Sequence, residues 1–207
     1  MDDLFSANDN LEHIHLPDGD LSYLHHLDLG RPDESILDEL KRTVPWRAES
    51  IVVWGKKHLQ PRLIAWYGDK DFNYTYSGIS LQPLEWTPTL LDLKNRIESI
   101  VGLEFNSVLI NFYRDNNDSI GFHSDDEKEL GPHPVIASLS LGEERTFILK
   151  HKRNSAVKPL KIKLASGSLL VMRGETQHNW KHGIEKERQK CGPRINLTFR
   201  RIYKGIS

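Results

Sequence analysis

The chain has 207 residues, 38% of them hydrophobic, with one cysteine and a formal net charge of −1. That length suits one well-buried core and is short for two, and a lone Cys191 cannot close an intrachain disulfide, in agreement with a reducing compartment. No apolar run approaches a membrane span, and the acidic start Met1-Asp2-Asp3 lacks the basic and apolar regions of a secretory signal, so a cytoplasmic location is expected, or a nuclear one in a eukaryote.

Residues 1–20 are polar and acidic and are expected to form a flexible extension ahead of a single domain over 21–207. A short strand is predicted near Leu21–Leu24. His26-Leu27-Asp28 runs straight into Gly30-Arg31-Pro32 and reads as a solvated turn. Asp33 is placed to cap a helix carrying Ile36, Leu37, Leu40 and Val44 and ended by Pro45. The run Ile51 to Lys57 sets Trp54 against Gly55, Lys56 and Lys57, which suits either a buried strand end or a wedge between base pairs with lysines on phosphate. Tyr74 and Tyr76 place two rings on one face of an extended segment, for stacking on a base or for packing within a hairpin. Thr87-Pro88 opens a second helix with Leu90, Leu93, Ile97, Ile100 and Val101, closed by Gly102. From Phe105 onward short strands are predicted, with core strands at 136–141, 146–149, 160–164, 168–172 and 195–202. Helices followed by a run of strands favour an α+β architecture in which the helices buttress a β-barrel or jelly roll.

Two strands carry polar residues in register. In Arg194-Ile-Asn-Leu-Thr-Phe-Arg200 the even positions are polar and the odd ones apolar, the period of a half-buried strand, so Arg194, Asn196, Thr198 and Arg200 share a face. At about 3.4 Å per residue the two arginine Cα atoms lie roughly 20 Å apart. They cannot clamp one carboxylate together, but long side chains from both ends can meet an elongated dianion such as 2-oxoglutarate. In Val108 to Arg114, Asn111 and Tyr113 share a face, an amide and a phenol suited to bonding a carboxylate. Between these strands stand His123-Ser124-Asp125 and, later, His182. Two imidazoles and a carboxylate can hold three adjacent positions of Fe(II) and leave the others open. A tripeptide of this kind is weak alone, since His26-Leu27-Asp28 repeats it without the context.

The chain resembles the AlkB family of Fe(II)- and 2-oxoglutarate-dependent nucleic-acid dealkylases from about Pro61 to Arg201. The matching stretches are PRLIAWYGD, YTYSG, VLINFYRDNNDSIGFHSDDE, PVIASLSLG, GSLLVM, TQHNWKHGI and PRINLTFR. Among the branches it is most similar to the enzymes that repair alkylated DNA, including the duplex-acting type. The resemblance implies a double-stranded β-helix, a cupin-like jelly roll, over about 105–203, with a nucleotide-recognition lid over about 46–85. It implies His123, Asp125 and His182 as iron ligands, His182 rather than His178 because the family's ligand follows the tryptophan by two residues. Asn111, Tyr113, Arg194, Thr198 and Arg200, with Asn196 on the same face, would bind 2-oxoglutarate, Arg194 at its distal carboxylate and Arg200 near the iron. Asp126 would touch the base, with Glu127 beside it, Tyr74 and Tyr76 stacking, and Trp54, Gly55 and Lys56 at the place of an aromatic finger. Glu185 departs from the family, which often has proline there.

The implied reaction is oxidative demethylation of 1-methyladenine or 3-methylcytosine in DNA, with Fe(II) as cofactor and 2-oxoglutarate and O2 as co-substrates. A flipped, poorly paired base is the cheapest to extrude. Charge distribution agrees with a polyanion partner, because residues 145–207 hold 16 of the 28 Lys and Arg and three acids. Lys150-His151-Lys152-Arg153 is the most compact basic cluster, whereas Lys161 and Lys163 also suit a guarded strand edge. Lys190 and Arg194 near Cys191 could lower its thiol pKa, but a bystander role is expected for it. A monomer acting on single-stranded or duplex DNA is expected, and RNA is a further substrate class. The alternatives are the same chemistry on RNA or protein, and a non-catalytic nucleic-acid module with a structural metal, against which stands the single cysteine.

Overall fold

The computed structural model describes residues 11–53, 56–70, 74–76, 79–81 and 83–203, with side chains described over 11–50, 58–70 and 83–203. The chain opens with β1 (Glu12–Ile14) and β2 (Asp20–Leu24), then α1 (Asp33–Thr43), β3 (Ser50–Val53), β4 (Lys56–Leu59), β5 (Leu63–Gly68), β6 (Tyr74–Tyr76), β7 (Ile79–Leu81) and α2 (Pro88–Val101). The second half runs β8 (Ser107–Tyr113), β9 (Ile120–His123), a 3-10 turn (Lys128–Leu130), β10 (Ile136–Gly142), β11 (Arg145–His151), β12 (Leu160–Leu164), β13 (Leu169–Arg173), α3 (Thr176–Asn179), β14 (Trp180–Ile184) and β15 (Arg194–Arg200). A seven-stranded antiparallel sheet has the order β1-β2-β13-β10-β15-β8-β5, and a four-stranded sheet the order β12-β11-β14-β9. The two sheets form the jelly roll of a double-stranded β-helix, and the hairpins β3-β4 and β6-β7 stand apart from them.

Two apolar layers hold this arrangement. On the outer side of the large sheet, Ile195, Leu197 and Phe199 of β15 and Val108 and Ile110 of β8 pack against Ile36, Leu37 and Leu40 of α1 and Leu90, Leu93 and Ile97 of α2. Between the sheets, Leu109 and Tyr113 of β8, Ile136 of β10 and Leu170 and Met172 of β13 meet Phe147 and Leu149 of β11 and Trp180 and Ile184 of β14. Each large aliphatic side chain so buried contributes about 1.5–3 kcal/mol. Strand parity thus sends the apolar residues of β15 to the helices and its polar residues to the space between the sheets.

The second helix forms as its sequence predicts. Thr87 Oγ1 accepts the Leu90 N–H at 3.3 Å, Pro88 stands in the first turn and Gly102 closes the helix at φ 75°. The first helix differs at its start. Pro32 holds the cap position, and Asp33 lies in the first turn, where Oδ2 accepts the Ser166 hydroxyl at 2.7 Å. A fixed φ at Pro32 already sets the helical entry, so the carboxylate is released to staple the helix to the β12–β13 turn. Within the segment expected to be flexible, Glu12–Ile14 pairs with Leu21–Tyr23 as the edge of the large sheet. Its backbone groups find strand partners there, a possibility that polar composition does not reveal. His26-Leu27-Asp28 is not the solvated turn expected but an irregular segment, with His26 and Asp28 exposed and Leu27 in the core, and Asp28 Oδ1 accepts the Gly30 N–H at 2.8 Å.

Candidate active site

The sequence positions three potential ligands by strand pairing. His123 ends β9 directly opposite His182 of β14 in an antiparallel pair, and the two rings stand 4.5 Å apart. Asp125 lies two residues beyond His123 and so faces the same way, while Ser124 between them points back and donates its hydroxyl to the Trp180 carbonyl at 2.8 Å. The result brings one ligand atom each of His123, Asp125 and His182 within 4.8 Å of one another. Phe147 of β11 stacks on the His182 ring at 5.2 Å and fixes its plane.

Protonation favours metal binding at all three. His123 Nδ1 lies 2.9 Å from the Gly121 carbonyl, which can only accept, so Nδ1 carries the proton and Nε2 the lone pair. Burial lowers the pKa of His123, against the pull of Asp125. Burial, and then the neighbouring His123, lower His182 to about 3, so the ring is neutral at physiological pH. At Asp125 burial acts to raise the pKa, but Arg200 and the two imidazoles outweigh it and hold the carboxyl at about 2. Arg200 Nη2 donates to Asp125 Oδ1 at 2.8 Å between side chains that are almost wholly buried. The Asp125 N–H donates to Gln177 Oε1 of α3 at 2.9 Å, so the carboxylate is braced from both its side chain and its backbone.

Above these groups opens a pocket between the sheets, with Asn111, Tyr113, Arg194, Asn196, Thr198 and Arg200 in its wall. Register explains their company. Arg194 pairs with Tyr113 and Asn196 with Asn111 across β15–β8, while Ser138 and Ser140 of β10 stand opposite Thr198 and Asn196. All seven residues of β15 are buried, so of the two environments open to its polar face, water or an interior space, it has the interior one. Arg194 is 1% exposed. Its Nη2 donates to Ser140 Oγ at 2.9 Å and its guanidinium lies 5.1 Å from the Tyr113 ring, whereas Nε and Nη1 make no hydrogen bond. Burial brings its pKa down to about 10, which still leaves it charged. A buried cation with two guanidinium nitrogens unused is a seat for an anion. The two arginines occupy opposite ends of the face, Arg194 by Tyr113 and Arg200 by Asp125. The site therefore fits both an Fe(II) ion, through two neutral imidazoles and an ionised carboxylate, and a dicarboxylate held at its far end.

Other wall residues are already engaged. Asn196 Nδ2 donates to Ser138 Oγ and the Leu139 carbonyl at 2.7 and 3.1 Å, and its Oδ1 accepts the Thr198 hydroxyl at 2.9 Å. These two residues stiffen the wall as much as they line it. Asn111 Oδ1 accepts from Arg62 Nε at 2.7 Å. Arg62, 4% exposed, and Gln177, fully buried, are site residues that sequence patterning missed. Arg62 lies between Pro61 and Leu63 with no period to mark it, and Gln177 belongs to a helix of one turn.

At the rim, Asp126 Oδ2 accepts from Lys152 Nζ at 3.0 Å, and the same ammonium donates to the Gln177 carbonyl at 2.7 Å. Glu127 is half-buried beside it. Within the basic cluster Lys150 faces Glu185 at 3.7 Å and Lys152 is held by Asp126, so both are less available to phosphate than their spacing suggests. His178 takes no part in the cavity wall, and its Nε2 bonds the Pro132 carbonyl. Cys191 is no activated thiol, since burial pushes its pKa up more than Arg145 pulls it down. Trp54 and Gly55 lie outside the described residues. Lys56, Tyr74 and Tyr76 have described backbones, in the β3-β4 and β6-β7 hairpins, but their side chains lie outside the described residues.

A family model described as the 2OG-Fe(II) oxygenase superfamily matches residues 20–200. The chain is 46% identical over 176 residues to the alpha-ketoglutarate-dependent dioxygenase alkB homolog 3 of Mus musculus, covering 81% of this chain and 61% of that protein. It is 38% identical over 206 residues to the DNA oxidative demethylase ALKBH2 of Homo sapiens, covering 95% of this chain and 78% of that protein. The chain thus spans less than two thirds of the length of the alkB homolog 3 relative and more than two thirds of the ALKBH2 relative. Among solved structures, OsALKBH1 superposes with a TM-score of 0.59 at 17% identity, over 91% of this chain and 99% of its own. A prolyl hydroxylase from Trichoplax adhaerens superposes with a TM-score of 0.59 at 12% identity, over 88% of this chain and 83% of its own. At such identities the likeness carries the fold alone.

Proposed function

The chain belongs to the 2OG-Fe(II) oxygenase superfamily and, within it, to the AlkB family, and from that membership we propose that it is a dioxygenase that oxidatively demethylates 1-methyladenine and 3-methylcytosine in DNA. The observation that carries this reading is the buried Arg194 with two unused guanidinium nitrogens, at the other end of a polar strand face from a neutral-imidazole and carboxylate triad. With Fe(II) held by His123, Asp125 and His182, the metal, 2-oxoglutarate and O2 supply oxidation of the N-methyl carbon, with succinate, carbon dioxide and formaldehyde as products.

The protein's own contribution is placement. Arg194 and Ser140 receive the far carboxylate of the co-substrate, with Tyr113 against the guanidinium, in a space that excludes bulk water and so strengthens the ion pair. Arg200 keeps Asp125 ionised and aimed, and Asn111, Asn196 and Thr198 hold the wall against which the co-substrate chain lies. Asp126 stands at the rim, where its carboxylate accepts from the exocyclic amine of an extruded adenine or cytosine, with Glu127 beside it. Residues 46–85 serve as the recognition lid, with Tyr74 and Tyr76 against the flipped base and Trp54, Gly55 and Lys56 filling the space it leaves. DNA is the partner, the chain acts as a monomer, and its compartment is cytoplasmic or nuclear. Among the described residues no helix is long and apolar enough to cross a membrane.

The test is formaldehyde release and loss of one methyl mass from a 1-methyladenine oligonucleotide, single-stranded and duplex, with Fe(II), 2-oxoglutarate and ascorbate. Turnover is expected to need both additions and to vanish in His182→Ala. Consumption of 2-oxoglutarate with the base still methylated would move the substrate to RNA or protein, and no consumption would remove the enzyme reading.

A further inference from the structure

Among the described residues one other group of potential ligands stands together. One ligand atom from each of His133, Glu175 and His178 lies within 4.8 Å of the other two. Glu175 caps the single turn α3 and His178 follows three residues later, a spacing that puts both on one side of the turn. His133 comes from the connection after the 3-10 turn, 42 residues earlier in the chain than Glu175, and its Nδ1 lies 3.1 Å from Glu175 Oε1. Its ring stands at 83° to that of His178, with centroids 5.7 Å apart.

His178 supplies a second and independent observation. Its Nε2 bonds the Pro132 carbonyl, and a carbonyl only accepts, so Nε2 bears the proton and Nδ1 keeps its lone pair. Metal-bound imidazoles are held in this way, one nitrogen on a backbone oxygen and the other on the ion. Pro132 neighbours His133, so the same short connection orients one imidazole and supplies the other. All three residues are exposed, so solvent is at hand to fill the remaining positions around an ion.

We propose that His133, Glu175 and His178 form a second, surface site for a divalent transition metal, the class that two imidazoles and one carboxylate suit, with Zn2+ as its probe. The site is separate from the His123, Asp125 and His182 set and does not rest on the proposed reaction. Zinc is bound by such nitrogen and oxygen donors in open sites that keep solvent in a fourth position, and hard cations such as Mg2+ prefer all-oxygen sets. The place has a consequence for the cavity. α3 also carries Gln177, whose Oε1 accepts the Asp125 N–H at 2.9 Å, so a cation clamping the turn steadies the brace behind Asp125.

The experiment titrates Zn2+ into the full chain by calorimetry, with metal content measured after gel filtration. Wild type is expected to bind two equivalents, the His133→Ala/His178→Ala variant one, and a His123→Ala/His182→Ala variant one. Glu175→Gln, which keeps its shape, is expected to weaken the surface site by at least about tenfold, the lower end of what even an outer-sphere change costs. In parallel, 15N imidazole spectra of wild type on zinc addition should shift the signals of His133 and His178, a readout that needs no variant to fold. A stoichiometry that His133→Ala/His178→Ala leaves unchanged, or His133 and His178 ring signals that stay put at saturation, overturns the site.

Discussion

A guanidinium deprived of water is costly to bury unless a charge or several acceptors meet it. Arg194 has a hydroxyl and an aromatic ring, which satisfies part of its fork and leaves Nε and Nη1 without a hydrogen bond in a residue of the cavity wall. Replacing it with alanine is therefore expected to raise the KM for 2-oxoglutarate by tenfold or more, since losing one partner of a buried charged pair costs roughly 2–5 kcal/mol, while Fe(II) affinity measured by calorimetry stays near wild type. An unchanged KM would remove Arg194 from the co-substrate seat. Asp118 poses the opposite electrostatic case. Burial raises its pKa, but hydrogen bonds from the Arg114 backbone and guanidinium and the charges of Arg114 and Arg145 outweigh this, and the net shift is downward. A depressed carboxyl pKa contributes stability that is present above the unfolded value of about 3.9 and is lost as pH falls through the folded value. Asp118→Asn is expected to lower stability at pH 7 by about 1–3 kcal/mol, and the gap between the two urea midpoints should close as both are taken into acid. A gap that stays constant down to strongly acidic pH would mean that the carboxylate's charge contributes nothing.

At the scale of elements, the candidate metal site depends on one strand pair. Among the described strands β9 lies at the edge of the small sheet and pairs with β14 alone, where the register slips between His182 and Ile184. Gly183 fills that slip, and a Cβ there would stand 3.0 Å from the Ile120 carbonyl oxygen and 3.3 Å from the Gly121 backbone. Gly183→Ala must push β9 outward and draw His123 away from His182, so weaker Fe(II) binding is expected with little loss of overall stability. Metal titration beside thermal melting tests this, and full metal affinity in the variant would show that β9 can give way without moving His123. The strand parity behind this geometry was legible beforehand. Alternation in 194–200 and 108–114 located the polar face, and Thr87-Pro88 with Gly102 located α2. What alternation left open was the environment of that face, because a strand reads the same whether its polar side meets water or an internal cavity.

Across the whole molecule, charge separates into an acidic front and a basic end, yet part of the basic count is internal. Arg145, Arg194 and Arg200 are each at most 3% exposed. Lys163 on the edge strand β12 pairs with Glu144 at 2.9 Å, in keeping with a guarded edge. The surface available to phosphate is accordingly smaller than composition suggests. Binding of single-stranded oligonucleotide, followed by fluorescence anisotropy, is expected to weaken with salt at a slope of roughly −0.7 per phosphate contacted. A slope near zero would place the affinity in base stacking alone. Trp54→Ala is expected to lower turnover on duplex more than on single strands, because a wedge stabilises only a base that must leave a stack. An equal loss on both would assign Trp54 to packing.

By itself the sequence determined which residue types alternate, where the second helix starts and stops, and which histidines and carboxylate carry a family's motif. Each of those is a local property, set by the period of a strand, the fixed φ of proline or the left-handed freedom of glycine. Only the tertiary structure decided that the polar face of β15 lies between two sheets, that Arg200 reaches Asp125, that Arg62 and Gln177 belong to the site, and that Lys152 answers Asp126. It alone also brought His133 to Glu175 and His178. These contacts join residues up to 75 apart in the chain. Local pattern gives each strand its two faces, but which residues share a cavity depends on the order in which the strands close.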